Sequence, residues 1–221
     1  MATLGPDRAP SAPALVILAA GASTRLGQHK ALAELRGEPA IVHLLRAGRA
    51  LGDPAPLVIT GADEGAIGRT LAALDEADPP ELVHNPDWSN GRGSGLMLAA
   101  TLRAGRDLCV APVDCPLVGP QVFEALAQAW AEAGRPATGW LGPRLGPPLG
   151  PPLGPCLGEA PDAPHGHPIL LGRNLLSNWD GHGSLRNLRQ GALPLLSVAV
   201  EDPAILDNLD RPEDLVRLRA R

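Results

Sequence analysis

The chain has 221 residues, of which 44% are hydrophobic and only 2% aromatic, and its formal net charge is −5. This length is sufficient for one α/β domain, and the apolar content predicts a packed globule rather than disorder, with a core of Leu, Val, Ile and Ala. The negative net charge disfavours a protein that coats nucleic acid, so we expect no nucleic-acid partner.

Cysteine usage and the N-terminus favour a cytoplasmic protein. Cys109, Cys115 and Cys156 show no zinc-finger spacing, and an odd number of cysteines without a signal peptide fits a reducing compartment. Residues 1–13 are rich in Pro and Ala and lack the apolar core of a signal peptide, so we interpret them as a disordered tail. No apolar run approaches the roughly 20 residues that span a bilayer, and we expect no membrane contact.

The first predicted element is a buried strand that ends in a turn of small residues. Residues 15–18 are apolar and partly β-branched, and Gly21 and Ser23 follow directly. Such a turn can bring backbone N–H groups close to a phosphate. Arg25 and Lys30 come next, and cations there can neutralise the charge that develops in phosphoryl or nucleotidyl transfer. The segment lacks the glycine spacing of a P-loop or a dinucleotide fold, so it predicts another kind of nucleotide-binding loop.

The next elements alternate between helices and short strands. Apolar spacing and turn residues predict a helix over 31–51 with a break near Gly37 and Pro39, a strand over 57–60, and helices over 64–74 and 94–103. A turn at Asn85 places Trp88 as a core anchor. The glycine-rich segment 91–95 predicts a helix N-terminus that faces the nucleotide or a second substrate.

A second candidate functional residue follows the next strand. The apolar run 108–113 predicts a central strand, and Asp114 stands at its carboxyl end. A carboxylate in this place is a natural ligand for Mg²⁺, which proteins hold with one or two carboxylates plus substrate phosphates. The alternative is an aspartate that only caps the local turn.

The second half of the chain contains a four-residue repeat. After a predicted helix over 121–133, residues 141–158 repeat Leu-Gly-Pro-x, and because proline fixes φ and lacks an N–H we interpret them as a flexible insertion. Ordered structure should resume over 167–171, followed by a strand over 193–200 and a last helix that starts near Asp210.

The alternation of strands and helices predicts an open, mostly parallel α/β sheet with helices on both faces. Ligands bind such sheets at the carboxyl ends of the strands, so the first loop and Asp114 should share one edge. Asn208 and Asp210 lie two residues apart and face the same side if the backbone is extended. Asn208 is then a candidate second metal contact, whereas Asp210 is either a metal ligand or only the N-cap of the last helix.

These motifs resemble those of the MobA-like nucleotidyltransferases, and most of all the molybdenum cofactor cytidylyltransferase branch. The family signature Leu-Ala-[Ala/Gly]-Gly-x-Ser-x-Arg-[Met/Leu]-Gly-x-x-Lys matches Leu18 to Lys30 throughout. Further family motifs match, in chain order, Asn85 to Gly91, Asp114 to Pro116, Gly166 to Pro168 and Asp210 to Asp214.

The resemblance implies a Rossmann-like fold of the nucleotide-diphospho-sugar transferase kind and a Mg²⁺-dependent reaction. The terminal phosphate of a molybdopterin-type cofactor attacks the α-phosphate of a nucleoside triphosphate, and pyrophosphate leaves. Ala20 in place of a second glycine resembles the cytidylyl branch, which favours CTP over GTP. A different alternative is a non-catalytic carrier that brings the cofactor to a molybdoenzyme client.

The resemblance also assigns roles to individual residues. Arg25, Lys30 and Asp114 would be catalytic, Asp114 would bind Mg²⁺ with Asn208 or Asp210, and Ser94 and His167 would contact the second substrate. The nucleotide would be bound by Leu18, Ala19, Ala20, Gly21, Ala22, Ser23, Arg25 and Lys30.

Overall fold

The computed structural model describes residues 12–74, 79–146, 165–177, 179–182 and 185–221. Most of the predicted N-terminal tail lies outside these residues, which include its last two positions. Pro13 is buried, and the carbonyl of Ala12 accepts a hydrogen bond from the Arg106 guanidinium at 2.7 Å. Ala12 and Pro13 therefore pack against the domain, and the tail itself stays a prediction.

The described residues form strands and helices that alternate along most of the chain. The strands are β1 Ala14–Ala19, β2 Glu34–Leu35, β3 Glu38–Pro39, β4 Leu57–Thr60, β5 Glu81–His84, β6 Leu108–Pro112, β7 Trp140–Leu145, β8 Ile169–Leu171 and β9 Leu195–Val200. The α-helices are α1 Ala40–Gly48, α2 Glu64–Ala72, α3 Arg92–Leu102, α4 Pro120–Glu132, α5 Leu185–Gln190 and α6 Pro212–Arg219.

Seven of these strands form one sheet in the order β5–β4–β1–β6–β8–β7–β9. The neighbours β5, β4, β1 and β6 run parallel, β8 is antiparallel to both β6 and β7, and β7 pairs in parallel with β9. The mostly parallel sheet predicted from the sequence is thus confirmed. Its carboxyl edge collects the ends of β1, β4, β5 and β6.

Helices cover both faces of the sheet, as predicted. Successive side chains of a strand point to opposite faces. On β1, Leu15 and Ile17 join a core cluster that includes Ile41 of α1, whereas Val16 joins a second cluster that includes Leu96 of α3. Both faces of the central strands are buried, which explains why β1 is apolar without alternation.

The helix predicted over 31–51 is wrong in its first part. Residues 34–39 form the hairpin β2–β3, and α1 begins only at Ala40. Arg36 and Gly37 both have positive φ, at 49° and 82°, which is the backbone of a tight two-residue hairpin turn. The spacing of small apolar residues resembled a helical face, but the turn at Arg36 and Gly37 decided the local structure.

The predicted flexible insertion at 141–158 is wrong for its first unit. Leu141 to Leu145 belong to β7, which pairs along its length with β9. Pro143 is tolerated because its backbone nitrogen and carbonyl face away from β9, toward a side on which the carbonyl accepts a hydrogen bond from the Gly166 N–H and β8 pairs only with Trp140 and Leu141. The remaining units, from residue 147 onward, lie outside the described residues.

Glu81–His84 is the edge strand β5, which was not predicted from the sequence because its ends are polar and exposed.

Within the described part of the chain, no helix is both long and apolar enough to cross a membrane.

Candidate active site

The loop after β1 folds back on itself and delivers Lys30 to the sheet edge. The Ser23 hydroxyl accepts a hydrogen bond from the backbone N–H of Lys30 at 3.0 Å, and the Ser23 carbonyl accepts one from Leu26 at 3.0 Å. Ser23 adopts a left-handed φ of 52°, which turns the chain at this point. The small residues of the loop therefore leave backbone groups near the cleft and fix where the Lys30 side chain begins.

Gly61, the residue after β4, packs directly against this loop. A Cβ added to Gly61 would lie 2.4 Å from the Ala20 carbonyl oxygen and 2.6 Å from the Cβ of Trp88. The Ala62 N–H donates to the same Ala20 carbonyl at 3.3 Å. No side chain fits between the loop and Trp88, so the position of the loop depends on the glycine.

We expect Gly61→Ala and Gly21→Ala to act differently. The first substitution overpacks the loop and should lower the free energy of unfolding by about 1–3 kcal/mol. A Cβ on Gly21 meets nothing within 4 Å, so Gly21→Ala should leave stability nearly unchanged and raise KM for the nucleotide if phosphates approach that backbone. Chemical denaturation and initial rates measure the two effects. Equal stability losses in both variants would contradict this account.

Asp114 lies beside the loop because β6 is parallel to β1. Leu18 and Pro112 are register partners, and the Val113 N–H donates to the Leu18 carbonyl at 3.2 Å. The next residue, Asp114, is therefore at the carboxyl edge, and its side chain is only 12% exposed. The prediction that the first loop and Asp114 share one edge is confirmed.

Asp114 and Asp210 share the ammonium group of Lys30. Nζ of Lys30 lies 2.8 Å from Oδ1 of Asp114 and also donates to Oδ1 of Asp210. Arg25 lies 3.5 Å from the same Asp210 oxygen, and Arg92 donates to Oδ2 of Asp114. Three cations thus face two carboxylates, so the cluster keeps a net positive charge that suits a polyphosphate.

Asp210 is a member of this cluster and not a helix cap. The carboxylate of Asp214 accepts hydrogen bonds from the N–H groups of Asp210 and Arg211 at 3.0 and 2.9 Å, and α6 is capped in that way. The alternative that Asp210 only caps the helix is wrong. Its hydrogen bond from Lys30 holds the pKa of Asp210 below its usual range, so Asp210 remains ionised.

Asn208 lies on the same side as Asp210, as the spacing predicted. Its amide donates from Nδ2 to Oδ2 of Asp210 at 2.7 Å, and the residue is exposed. Asn208 therefore contacts the cluster through Asp210, and its role as a metal contact stays a prediction.

Lys30 is the only lysine among the 19 Lys and Arg residues of the chain. Arginine, with its planar five-donor fork, fills every other cationic position, including Arg25 and Arg92. The compact ammonium fits between two carboxylates, where its side chain is 12% exposed. The use of lysine at this one position indicates that the site requires a compact charge. This signal can be read from the sequence alone.

A cleft of about 250 Å³ opens over this cluster at the carboxyl edge. The predicted residues that line it are Leu18, Ala20, Gly21, Ser23, Arg25, Lys30, Asp114 and Asp210. Ala19 is buried in β1, and Ala22 is exposed outside the lining. Asn85, Trp88 and Arg92 also line the cleft, and the sequence analysis had not assigned them to the site. Trp88, predicted as a core anchor, is a half-buried wall of the cleft.

A second cleft of about 330 Å³ adjoins the first, and Arg92 lines both. His167 and Arg189 add polar groups to it, while Trp140 and Ile169 are part of its apolar lining. Burial lowers the pKa of His167 to about 4, with a further contribution from the charge of Arg92, so its imidazole is neutral at pH 7. Its Nδ1 atom is buried and has no hydrogen-bond partner among the described residues.

Ser94 is oriented toward the turn before α3 rather than toward either cleft. Its hydroxyl accepts a hydrogen bond from the Asn85 amide at 2.9 Å and lies 2.9 Å from the carbonyls of Asp87 and Gly91. The hydroxyl therefore organises the segment that carries Trp88 and Arg92. Its direct contact with a second substrate stays a prediction.

The thiol beside Asp114 does not serve as a nucleophile. Burial and the nearby Asp114 carboxylate raise the pKa of Cys115 to about 12, and its Sγ lies 2.9 Å from the Asp207 carbonyl. A neutral, buried thiol is a poor nucleophile.

The donor set of the cluster fits a hard divalent cation. Carboxylate oxygens of Asp114 and Asp210 meet at one ammonium group, which shows that the two side chains converge on a single cationic position. Mg²⁺ prefers such oxygen ligands and completes its shell with water and phosphate. Within the described residues there is no group of three or more His, Cys, Asp and Glu side chains that could hold a metal ion, and the two carboxylates are the acidic ligands that the cluster itself offers.

An open α/β sheet with a cationic cleft at its carboxyl edge defines a class of nucleotide-binding protein. The chain belongs to the MobA-like NTP transferase domain family, whose model matches residues 15–196. The resemblance to the MobA-like family is thus confirmed, and the domain is a nucleotidyltransferase; the cytidylyltransferase branch stays a prediction.

A curated relative covers only part of the chain. The "Bifunctional protein GlmU" of Dinoroseobacter shibae is 33% identical over 124 residues, which is 53% of this chain and 26% of that protein. The chain therefore spans about a quarter of the length of the curated relatives it matches.

Solved structures share the fold over nearly the whole chain. The manganese complex of Rv0371C from Mycobacterium tuberculosis has a TM-score of 0.66 at 21% identity and covers 96% of this chain and 100% of its own. Molybdopterin-guanine dinucleotide biosynthesis protein A from Archaeoglobus fulgidus scores 0.64 at 18%, covering 93% and 96%. A CMP:2-keto-3-deoxy-manno-octonic acid synthetase complexed with CTP scores 0.68 at 18%, covering 94% and 96%.

Proposed function

We propose that this nucleotidyltransferase moves CMP from CTP to the terminal phosphate of a molybdopterin-type cofactor and releases pyrophosphate. The observation that carries the proposal is the cluster of Lys30, Asp114 and Asp210 beneath a loop that matches the family signature. The solved relatives with the same fold include a molybdopterin-guanine dinucleotide biosynthesis protein and a CTP complex, which supports both substrate classes. Ala20 in the loop supports CTP over GTP.

In this reaction an oxygen of the acceptor phosphate forms a bond with the α-phosphorus, and the bond between the α- and β-phosphates breaks. The described site offers no activated nucleophile of its own, so the transfer is direct. Arg25 and Lys30 neutralise the charge of the triphosphate and of the departing pyrophosphate. The loop backbone around Gly21 orients the phosphates, and catalysis is positioning together with electrostatic stabilisation.

Mg²⁺ is the proposed cofactor, held by Asp114 and Asp210 with Asn208 beside them. When bound, a divalent cation screens phosphate charge and polarises the phosphorus that is attacked. The manganese complex of the Mycobacterium tuberculosis relative supports a divalent ion in this fold. Lys30 keeps the two carboxylates together before substrates arrive, because their mutual repulsion is offset by its charge.

The second cleft suits the acceptor. Arg92 lines both clefts, His167 lines the second, and the Trp140 and Ile169 side chains give the second one apolar walls. A phosphorylated ring compound would place its anionic end near Arg92 and its ring against the apolar walls. Delivery of the finished dinucleotide to a molybdoenzyme client belongs to the same proposal.

Pyrophosphate release tests the proposal with purified protein, Mg²⁺, molybdopterin cofactor and each nucleoside triphosphate in turn. We expect release with CTP that depends on both the cofactor and the metal. Preference for GTP would overturn only the choice of base. Tight cofactor binding without release from any nucleotide would instead support a non-catalytic carrier.

A further inference from the structure

Arg92 occupies a position that helix formation does not favour. It is the first residue of α3, after Gly91, which has φ 101° and provides no side-chain cap. A cation in the first turn interacts unfavourably with the helix dipole. The arginine therefore gains nothing from the helix, and its interactions outside the helix must account for its place.

The backbone at Arg92 is held by close packing, whereas more than half of the Arg92 side chain is exposed. A Cβ added to Gly93 would lie 1.9 Å from the Gly181 carbonyl oxygen, so the first turn of α3 packs tightly on the loop at 179–182. The side chain of Arg92 is 58% exposed, in contrast to 12% for its partner Asp114. Because more than half of the Arg92 side chain reaches solvent, the guanidinium can turn away from Asp114 without repacking its surroundings.

Arg92 competes for the carboxylate that a metal ion would use. Lys30 contacts Oδ1 of Asp114 and Arg92 contacts Oδ2, so both oxygens are engaged by cations. Arg92 is also the residue common to the linings of the two clefts. If it leaves Asp114, its guanidinium remains within the wall of the second cleft, beside His167.

We propose that Arg92 is a movable cation that competes with a divalent ion for Asp114 and turns to the anionic group of the second substrate once the ion engages Asp114. This inference rests on the proposed function of the two clefts. It makes Arg92 a positioning residue that couples metal binding in one cleft to anion binding in the other.

The first experiment titrates Mn²⁺ into nucleotide-free protein and follows the free ion by electron paramagnetic resonance. Arg92→Met removes the competitor, so Mn²⁺ should bind about threefold to fivefold more tightly than to the wild type. Arg69→Met is the matched control, because Arg69 is an exposed cation on α2 and its loss changes the net charge equally. We expect less than a twofold change in the control. Unchanged or weaker Mn²⁺ binding by Arg92→Met would overturn the proposal.

The second experiment measures the binding of inorganic phosphate by calorimetry with Mg²⁺ and a saturating non-hydrolysable CTP analogue present. We expect Arg92→Met to bind phosphate at least about tenfold more weakly than the wild type, and Arg92→Lys to recover part of the loss. Equal phosphate affinity in wild type and Arg92→Met would overturn the coupling. Neither titration needs turnover, so a failure of the proposed function in the pyrophosphate assay is recognised separately. Because the Arg92 side chain is largely exposed, both variants should unfold at the wild-type temperature.

Discussion

Replacing Lys30 by Met should lower kcat about 10³-fold while the domain stays folded. The ammonium of Lys30 donates to both Asp114 and Asp210. Without it, two carboxylates face each other and the incoming triphosphate with less positive charge to offset them. Pyrophosphate release at saturating nucleotide measures the loss. A kcat within tenfold of the wild type would show that Lys30 is not part of the catalytic machinery.

Lys30→Arg tests whether catalysis depends on the charge of the Lys30 side chain or on its shape. The guanidinium keeps the positive charge, but it is planar and larger than the ammonium that fits between the two carboxylates. We therefore expect this variant to remain at least about tenfold below the wild type in kcat. Full activity of Lys30→Arg would mean that the site requires only a cation at this position.

The Lys30→Met variant should also differ from the wild type in the pH dependence of its free energy of unfolding. Lys30 holds the pKa of Asp210 below its usual range in the folded protein. The resulting stabilisation is complete above the pKa of an unfolded aspartate and is lost as the pH falls through the lower folded pKa. The difference in unfolding free energy between wild type and Lys30→Met should therefore narrow below about pH 4.

Asp114→Asn should lower kcat at least about 10³-fold, because it removes the carboxylate that Lys30 and Arg92 contact and that we propose as a metal ligand. The amide has nearly the same size, and Lys30 retains Asp210 as a partner, so thermal unfolding should show a folded protein. A near-normal rate of pyrophosphate release would show that Asp114 has no catalytic or metal-binding role.

Asp202→Asn is a suitable control for the Asp114 variant. Asp202 accepts hydrogen bonds from the backbone N–H groups of Gly119 and Ala204 with its carboxylate and is not among the residues that line the cleft. Its replacement removes the same charge and should cost about 1 kcal/mol of stability. Activity should persist. Comparable activity losses in the two variants would indicate a long-range effect of net charge rather than a role of Asp114.

The sequence predicted the parts of the site that follow buried strands. The apolar runs of β1 and β6 are short and unambiguous, and the rule that parallel strands collect their carboxyl ends at one edge brings the first loop to Asp114. Ambiguity arose where local signals compete. Asp210 lies two residues before the proline that begins α6, close to where a capping residue is expected, and only the position of Asp214 shows that the cap is made elsewhere.

Arg92 could not be assigned from the sequence because its role depends on a contact across the sheet. Helix α3 was predicted to begin at residue 94, which left Arg92 as one loop cation among many. Its hydrogen bond to Asp114 joins residues 22 positions apart on different elements. The start of the repeat was misjudged for a similar reason, because the pairing of Gly142 with Ser197 in β9 is invisible in the local Leu-Gly-Pro pattern.

The single lysine also allows the site to be labelled selectively by a chemical reagent. Apart from the terminal α-amine, Lys30 carries the only alkyl amine of the chain, so an amine-specific reagent with a phosphate group has one internal target. Its attachment there would block the cleft, and bound nucleotide would shield it. Mass spectrometry of the labelled protein would thus report, without a turnover assay, the fraction of protein molecules in which nucleotide occupies the cleft.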